Sequence, residues 1–187
     1  MSPSLNIKDY IKCYSNILIK DVCTQIINEP HINFNKALTI DDVVNKDKPE
    51  YKKFLRNCYV KPLSQQFDTI VFNAIKEILK LYTKDVPHFG TGTSCEDTGY
   101  EHLLYKGSEK GEYKEHVDNS NNSPRILSCS LLLKDDYEGG DFSFFGGKYL
   151  VKKKASSAVV FPSNFCFPHA ITPVIKGNRH AIITWIR

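Results

Sequence analysis

The sequence is poor in the features that mark membrane or nucleic-acid proteins. No apolar run among its 187 residues approaches the roughly 20 residues that a membrane-spanning helix needs. Residues 1–12 have no apolar core segment and so do not read as a secretory signal; a cytoplasmic protein with no membrane partner is expected. An excess of one charge is also missing: 25 Lys+Arg against 21 Asp+Glu leave +4. Without a clustered basic patch, that balance argues against a nucleic-acid partner. The one lysine run, Lys152–Lys154, precedes Ala-Ser-Ser and reads as a solvated turn. The six cysteines (13, 23, 58, 95, 129, 166) contain no C-x-x-C pair, which removes the common zinc and redox motifs. Most of them read as buried, reduced thiols. There is no G-x-S-x-G nucleophile motif, no internal repeat and no low-complexity tail.

What is present divides the chain in two. Residues 1–97 read as strand, helix and polar connector, a support region of the same domain as the core at 98–187. Ile11–Ile19 is a short β-like run, and Asp21 can cap a helix bearing Val22, Cys23, Ile26 and Ile27 that stops at Pro30. Residues 31–57 are polar and predict a long surface excursion. A helix then begins near Pro62, with Leu63, Phe67, Ile70, Val71, Ala74, Ile78 and Tyr82 at helical spacing. Its apolar stripe predicts packing against a sheet.

From Thr98 onward, runs rich in Val, Ile, Phe and Tyr alternate with turn clusters. They are Tyr100–Tyr105, Tyr113–Val117, Arg125–Leu133, Asp141–Phe145, Tyr149–Lys152, Ala158–Phe161, His169–Val174 and Arg179–Ile186. Eight such runs predict a two-sheet jelly roll, a double-stranded β-helix barrel buttressed by the N-terminal helices. The fold class is therefore mostly β with helices, α+β.

The stretch YKEHVDN sets His116 and Asp118 two apart. On a strand those side chains share a face, so an imidazole and a carboxylate aim at one volume. His169 opens the seventh run and Arg179 the eighth, and early and late strands of a barrel can face one another. Two histidines and one carboxylate make the facial triad of non-haem Fe(II) oxygenases. A buried arginine supplies a planar fork for a carboxylate. Three such ligands with a water also suit zinc, and a His–Asp pair can act as a general base. The joint occurrence of all four residues, in order on successive predicted strands, favours iron.

Three stretches carry a family likeness: YKGSEKGEYKEHVDN, RILSCSLLLKDDYEGGDFSF and HAITPVIKGNRHAIITW. The segment from Tyr105 to Trp185 resembles the prolyl 4-hydroxylase-like 2-oxoglutarate/Fe(II) dioxygenases. The resemblance implies that His116, Asp118 and His169 ligate the iron and that Arg179 binds the distal carboxylate of 2-oxoglutarate. Tyr105 would hydrogen-bond the same carboxylate. Ser128, Ser130 and Leu132 would face the pocket; Leu132 stands where some members carry tyrosine. Period-2 parity from Arg179 places Ala181, Ile183 and Trp185 on the inner face, where Trp185 would cap the apolar floor.

The implied activity is hydroxylation of a prolyl residue in a peptide or protein. Fe(II), 2-oxoglutarate and O2 are the implied cofactors and co-substrates, with ascorbate as an accessory. The same iron set also serves hydroxylation of lysyl residues or free amino acids and demethylation of nucleic-acid bases, and a non-catalytic metal- or ligand-sensing jelly roll is a different class again. The loop Asn119–Pro124 and the stretch 31–57 are candidate lids.

Overall fold

The structure, a computed structural model, describes residues 6–29, 34–41, 45–91, 95–120 and 124–187. A 3-10 turn leads into β1 (Lys12–Ser15) and α1 (Lys20–Ile27). Short strands follow: β2 (Asn35–Lys36), β3 (Thr39–Asp41), β4 (Asn45–Glu50), β5 (Arg56–Asn57) and β6 (Tyr59–Pro62), then the long helix α2 (Gln65–Asp85). The second half is strand: β7 (Glu101–Lys106), β8 (Glu112–His116), β9 (Leu127–Leu132), β10 (Glu138–Gly139), β11 (Phe142–Phe144), β12 (Tyr149–Val151), β13 (Ser157–Pro162), β14 (His169–Ile171), β15 (Val174–Lys176) and β16 (Asn178–Ile186).

Two antiparallel sheets dominate. The larger runs β1-β13-β9-β16-β7-β6-β2 and the smaller β12-β11-β14-β8-β5, with two-stranded ribbons β10-β15 and β3-β4 beside them. The N-terminal strands β1, β6 and β2 extend the same sheet as the C-terminal strands. No helix among the described residues is long and apolar enough to cross a membrane.

Both faces of the larger sheet are covered, which explains why every position of Leu127–Leu132 is buried. Leu127, Cys129 and Leu131 pack outward on the helices, against Val22, Ile26, Val71, Ile75 and Ile78. Leu132, with Val159, Phe161 and Ile183, packs inward against Phe142, Phe144 and Ile171 of the smaller sheet. Each aliphatic side chain fully buried this way contributes about 1.5–3 kcal/mol relative to exposure.

Several local expectations change. β1 covers only Lys12–Ser15 of the apolar run, because Asn16 takes a positive φ of 60° and turns the chain. α1 begins at Lys20, so Asp21 lies in its first turn rather than at its cap, and Pro30 lies outside the described residues. α2 starts at Gln65, because Pro62 is still paired with Glu101 at the end of β6. On its surface Ile75 is buried whereas Ile70 is 43% exposed, so the stripe is rotated from the expected one. The described part of 31–57 holds four strands, too short or too polar to show a period. The seventh run breaks at Thr172–Pro173, since proline cannot donate to a ladder; β14 pairs with β8 and β11, and β15 with β10. Cys13, Cys95 and Cys166 are exposed, so burial holds for only half of the cysteines. Lys153 lies over the Tyr137 ring and donates to the Gly139 carbonyl, so that part of the lysine run is not a solvated turn.

Candidate metal centre

β8 and β14 bring two histidines together: His116 and His169 are direct cross-strand partners. The next matched pair is Ile171 with Tyr113, so β8 has one residue more than β14 between the pairs. That bulge resets the side-chain alternation. It places Tyr113 on the same side as His116, where the two rings stack at 3.6 Å between centroids. Asp118, just past the end of β8, returns to the same volume. Its Oδ1 lies 3.4 Å from His116 Nε2 and its Oδ2 3.5 Å from His169 Nε2. Among the described residues these three are the only His/Cys/Asp/Glu group whose ligand atoms gather, all within 4.8 Å of one another.

The other ring nitrogens set the tautomers. His116 Nδ1 lies 2.8 Å from the Lys114 carbonyl and His169 Nδ1 3.1 Å from the Phe167 carbonyl. A carbonyl only accepts, so each Nδ1 carries the hydrogen and each Nε2 presents its lone pair toward Asp118. Burial alone would raise the Asp118 carboxyl; His169, His116 and the Ser128 hydroxyl outweigh it and hold the group well below the usual carboxylate range. Burial pushes His169 down to about 4, so its ring is neutral near pH 7. Two imidazoles and one carboxylate on one side form a donor set suited to a divalent metal with open positions.

A second ring of contacts orients these groups. Ser128 Oγ donates to Asp118 Oδ2 at 2.6 Å and meets Ser163 Oγ at 2.8 Å. Since Asp118 is ionised, the Ser128 proton points to it and Ser163 supplies the next one. Ser128 thus supports the carboxylate, the kind of outer contact that fixes a metal ligand. The Arg125 Nη1 donates to the Asp118 carbonyl at 3.1 Å, and its guanidinium lies 3.6 Å from the Trp185 ring centre.

The cavity beside the triad, about 390 Å³ including its mouth, is lined by Tyr105, Ser130, Phe161, Arg179, Ile183 and Trp185 among others. Arg179 is 1% exposed. Its guanidinium lies 5.1 Å from the Tyr105 ring and 5.5 Å from the Phe142 ring. Its Nε and Nη2 have no hydrogen-bond partner among the described residues. A buried guanidinium with idle donors fits a carboxylate that enters the cavity. Tyr105 faces Arg179 across the β7–β16 ladder, and burial holds its phenol protonated.

Every site residue expected from the sequence lies in or against this cavity: the triad, Arg179, Tyr105, Ser130 and Trp185 line it, and Ser128 touches Asp118 from behind. Sequence reasoning missed Tyr113, Arg56 and Arg125. Tyr113 was hidden by the bulge. Arg56 lies on a two-residue strand with no pattern, its guanidinium 4.8 Å from the Tyr113 ring. Arg125 opens an apolar strand, and only its contact with Trp185 reveals it. Residues 121–123 of the candidate lid lie outside the described residues, as do 31–33 and 42–44 of the other.

Comparison with known families agrees with this geometry. Residues 101–187 match the family model of the 2OG-Fe(II) oxygenase superfamily. This part of the chain is similar to 2OG-Fe(II) oxygenases. The chain is 38% identical over 92 residues to a PKHD-type hydroxylase of Alteromonas mediterranea, covering 43% of this chain and 40% of that one. It is also 38% identical over 92 residues to a PKHD-type hydroxylase of a Synechococcus strain, covering 45% and 40%. The chain thus matches less than half the length of these curated relatives. The fold is similar to the viral collagen prolyl hydroxylase of Paramecium bursaria Chlorella virus-1 in its 2OG complex, with a TM-score of 0.68, 18% identity, and 95% and 96% of the two chains covered. It is also similar to a Trichoplax adhaerens prolyl hydroxylase solved with a hypoxia-inducible-factor peptide, with a TM-score of 0.69, 14% identity, and 95% and 83% covered.

Proposed function

We propose that the chain is a 2-oxoglutarate- and Fe(II)-dependent dioxygenase that hydroxylates prolyl residues of a peptide or protein. His116 Nε2, the Asp118 carboxylate and His169 Nε2 would hold the iron, and Arg179 the distal carboxylate of 2-oxoglutarate. The two facing sheets are then the halves of a double-stranded β-helix, with residues 1–97 its support and 98–187 its core. When bound, iron with 2-oxoglutarate and O2 supplies the oxidising chemistry, releasing succinate and CO2.

The residues of the chain do the rest. The Lys114 and Phe167 carbonyls hold both imidazoles in the ligating tautomer. Ser128 holds the Asp118 carboxylate in place. Phe142, Phe161, Ile171 and Ile183 make the wall apolar and keep bulk water away from the centre.

The observation that carries this reading is the pairing, in one cavity, of the His116–Asp118–His169 cluster with an Arg179 fork whose donors are idle. A bare metal sensor has no use for that fork. The prolyl acceptor is supported by the similar solved structures that bear the prolyl hydroxylase name. Physics agrees: proline has a fixed φ and no N–H, so it can enter a narrow mouth as a preformed, low-entropy element. The test is intact and tandem mass spectrometry of peptide libraries with Fe(II), 2-oxoglutarate and ascorbate. Pro-containing peptides are expected to gain one oxygen on the proline ring and to stimulate succinate formation. Oxygen on lysine, or coupling only to oligonucleotides, would overturn the prolyl acceptor; no succinate with any acceptor would overturn the dioxygenase.

A further inference from the structure

Beside Arg179, behind the residues that line the cavity, stands a second buried donor. Tyr137, in the turn between β9 and β10, is 5% exposed; its hydroxyl makes no well-formed hydrogen bond among the described residues and its nearest polar neighbour is the Arg179 guanidinium. We infer that Tyr137 is a further binding residue for the dicarboxylate, beyond Arg179 and Tyr105, its hydroxyl donating to the carboxylate that Arg179 holds; this rests on the proposed function.

Gly140 brings the two side chains together. It adopts φ +63°, and a Cβ there would lie 3.0 Å from Tyr137 Cε2 and 3.3 Å from Arg179 Cδ. The ring edge and the guanidinium stem therefore close on one point that only glycine leaves free. The ring is also fixed from its face. Lys153 Nζ stands 4.4 Å from the ring centre, donates to the Gly139 carbonyl at 2.8 Å and pairs with Asp141 at 3.6 Å. With its salt bridge and backbone contact, Lys153 clamps the ring and leaves only the hydroxyl free to choose a partner.

A guanidinium has donors and no acceptor, and a phenol can donate one hydrogen. Burial raises the Tyr137 phenol, against the opposing pull of Arg179, so the hydroxyl keeps its proton at neutral pH. Two adjacent buried donors are satisfied together by one group with lone pairs in several directions. A carboxylate is that group, and it is the group Arg179 is shaped to hold. Turned the other way, the hydroxyl would merely accept from Arg179 and add nothing to the ligand. The experiment must separate these arrangements.

The full chain loaded with Mn(II) is titrated with N-oxalylglycine, which has the distal carboxylate, and with 2-oxobutyrate, which lacks it. Tyr137→Phe keeps the ring and removes the hydroxyl. It is expected to weaken N-oxalylglycine binding about tenfold, as for loss of a hydrogen bond to a charged group. Its affinity for 2-oxobutyrate and its melting temperature should stay at the wild-type values. Wild-type affinity for N-oxalylglycine in Tyr137→Phe, with Arg179→Ala impaired, would overturn the role of Tyr137 and leave the proposed function standing. Equal loss for both ligands would also overturn it, since that marks a packing role. No N-oxalylglycine binding by the wild type would overturn both. As a check independent of folding, 3-fluorotyrosine at position 137 should shift its fluorine resonance with N-oxalylglycine and not with 2-oxobutyrate; no shift with either overturns the assignment.

Discussion

Arg179→Met separates what this side chain does for the ligand from what it costs the fold. Arg179 is 1% exposed, and its Nε and Nη2 lack partners among the described residues. Each buried polar group left without a partner costs about 1–3 kcal/mol. Methionine fills a similar volume with no polar hydrogen, so the variant should unfold at the same urea concentration as the wild type or a higher one. Ligand binding should move the other way. Removing one partner of a buried charged pair costs about 3–5 kcal/mol, which is roughly two to four orders of magnitude in affinity.

Urea unfolding in Mn(II), with and without N-oxalylglycine, measures both effects. At about 100 times its Kd the ligand should stabilise the wild type by about 2.7 kcal/mol, whereas a variant weakened more than a hundredfold should gain less than about 0.4 kcal/mol. A variant that gains as much as the wild type would refute the carboxylate role. Destabilisation of the ligand-free variant by more than about 2 kcal/mol would show that Arg179 is already satisfied within the fold.

Two further predictions follow from contacts around the site and behind it. Ser128→Ala removes the 2.6 Å bond to Asp118 and should lower metal affinity about 10–100-fold, as loss of an outer contact to a ligand does, with little change in melting temperature; titration with Mn(II) reads it. On the helix side of the larger sheet, His102 Nε2 and His180 Nδ1 lie 3.0 Å apart, and burial pushes them down to about 3 and about 4. The unfolded chain, with ordinary histidines near 6.5, binds protons that the fold refuses, so stability rises with pH between about 4 and 6.5 and is complete above that range. Each histidine adds at most about 1.4 kcal/mol per pH unit. The double variant His102→Leu/His180→Leu should lose about two-thirds of the slope measured by urea unfolding between pH 5 and 6.5, since His169 contributes a third part. An unchanged slope would contradict the assignment.

Part of the candidate site was legible in the sequence. The spacing of His116 and Asp118 drew attention to them, although β8 ends at His116 and Asp118 reaches the same volume from just beyond it, and the alternation from Arg179 to Trp185 carries through an unbroken strand. The parity of Leu127–Leu132 was not legible from its own pattern: helices cover one side of that strand and the smaller sheet the other, so every position is apolar or small. Tyr113 was hidden by a bulge, and a bulge is a property of two strands that neither sequence shows alone. β2 and β5 escaped notice because two residues cannot display a period. Tyr137 was not legible in the sequence, because its relation to Arg179 depends on how Gly140 folds, 39 positions before that arginine in sequence number.

The central claim is that His116, Asp118 and His169 together hold one divalent metal. Anaerobic titration of Fe(II) into the wild type and into His116→Ala, Asp118→Ala and His169→Ala tests it most directly. The wild type should bind one ion per chain. Each variant should lose more affinity than the about 10–100-fold that an outer contact costs, while keeping its far-ultraviolet circular dichroism. One ion per chain bound with wild-type affinity by all three variants would contradict the account.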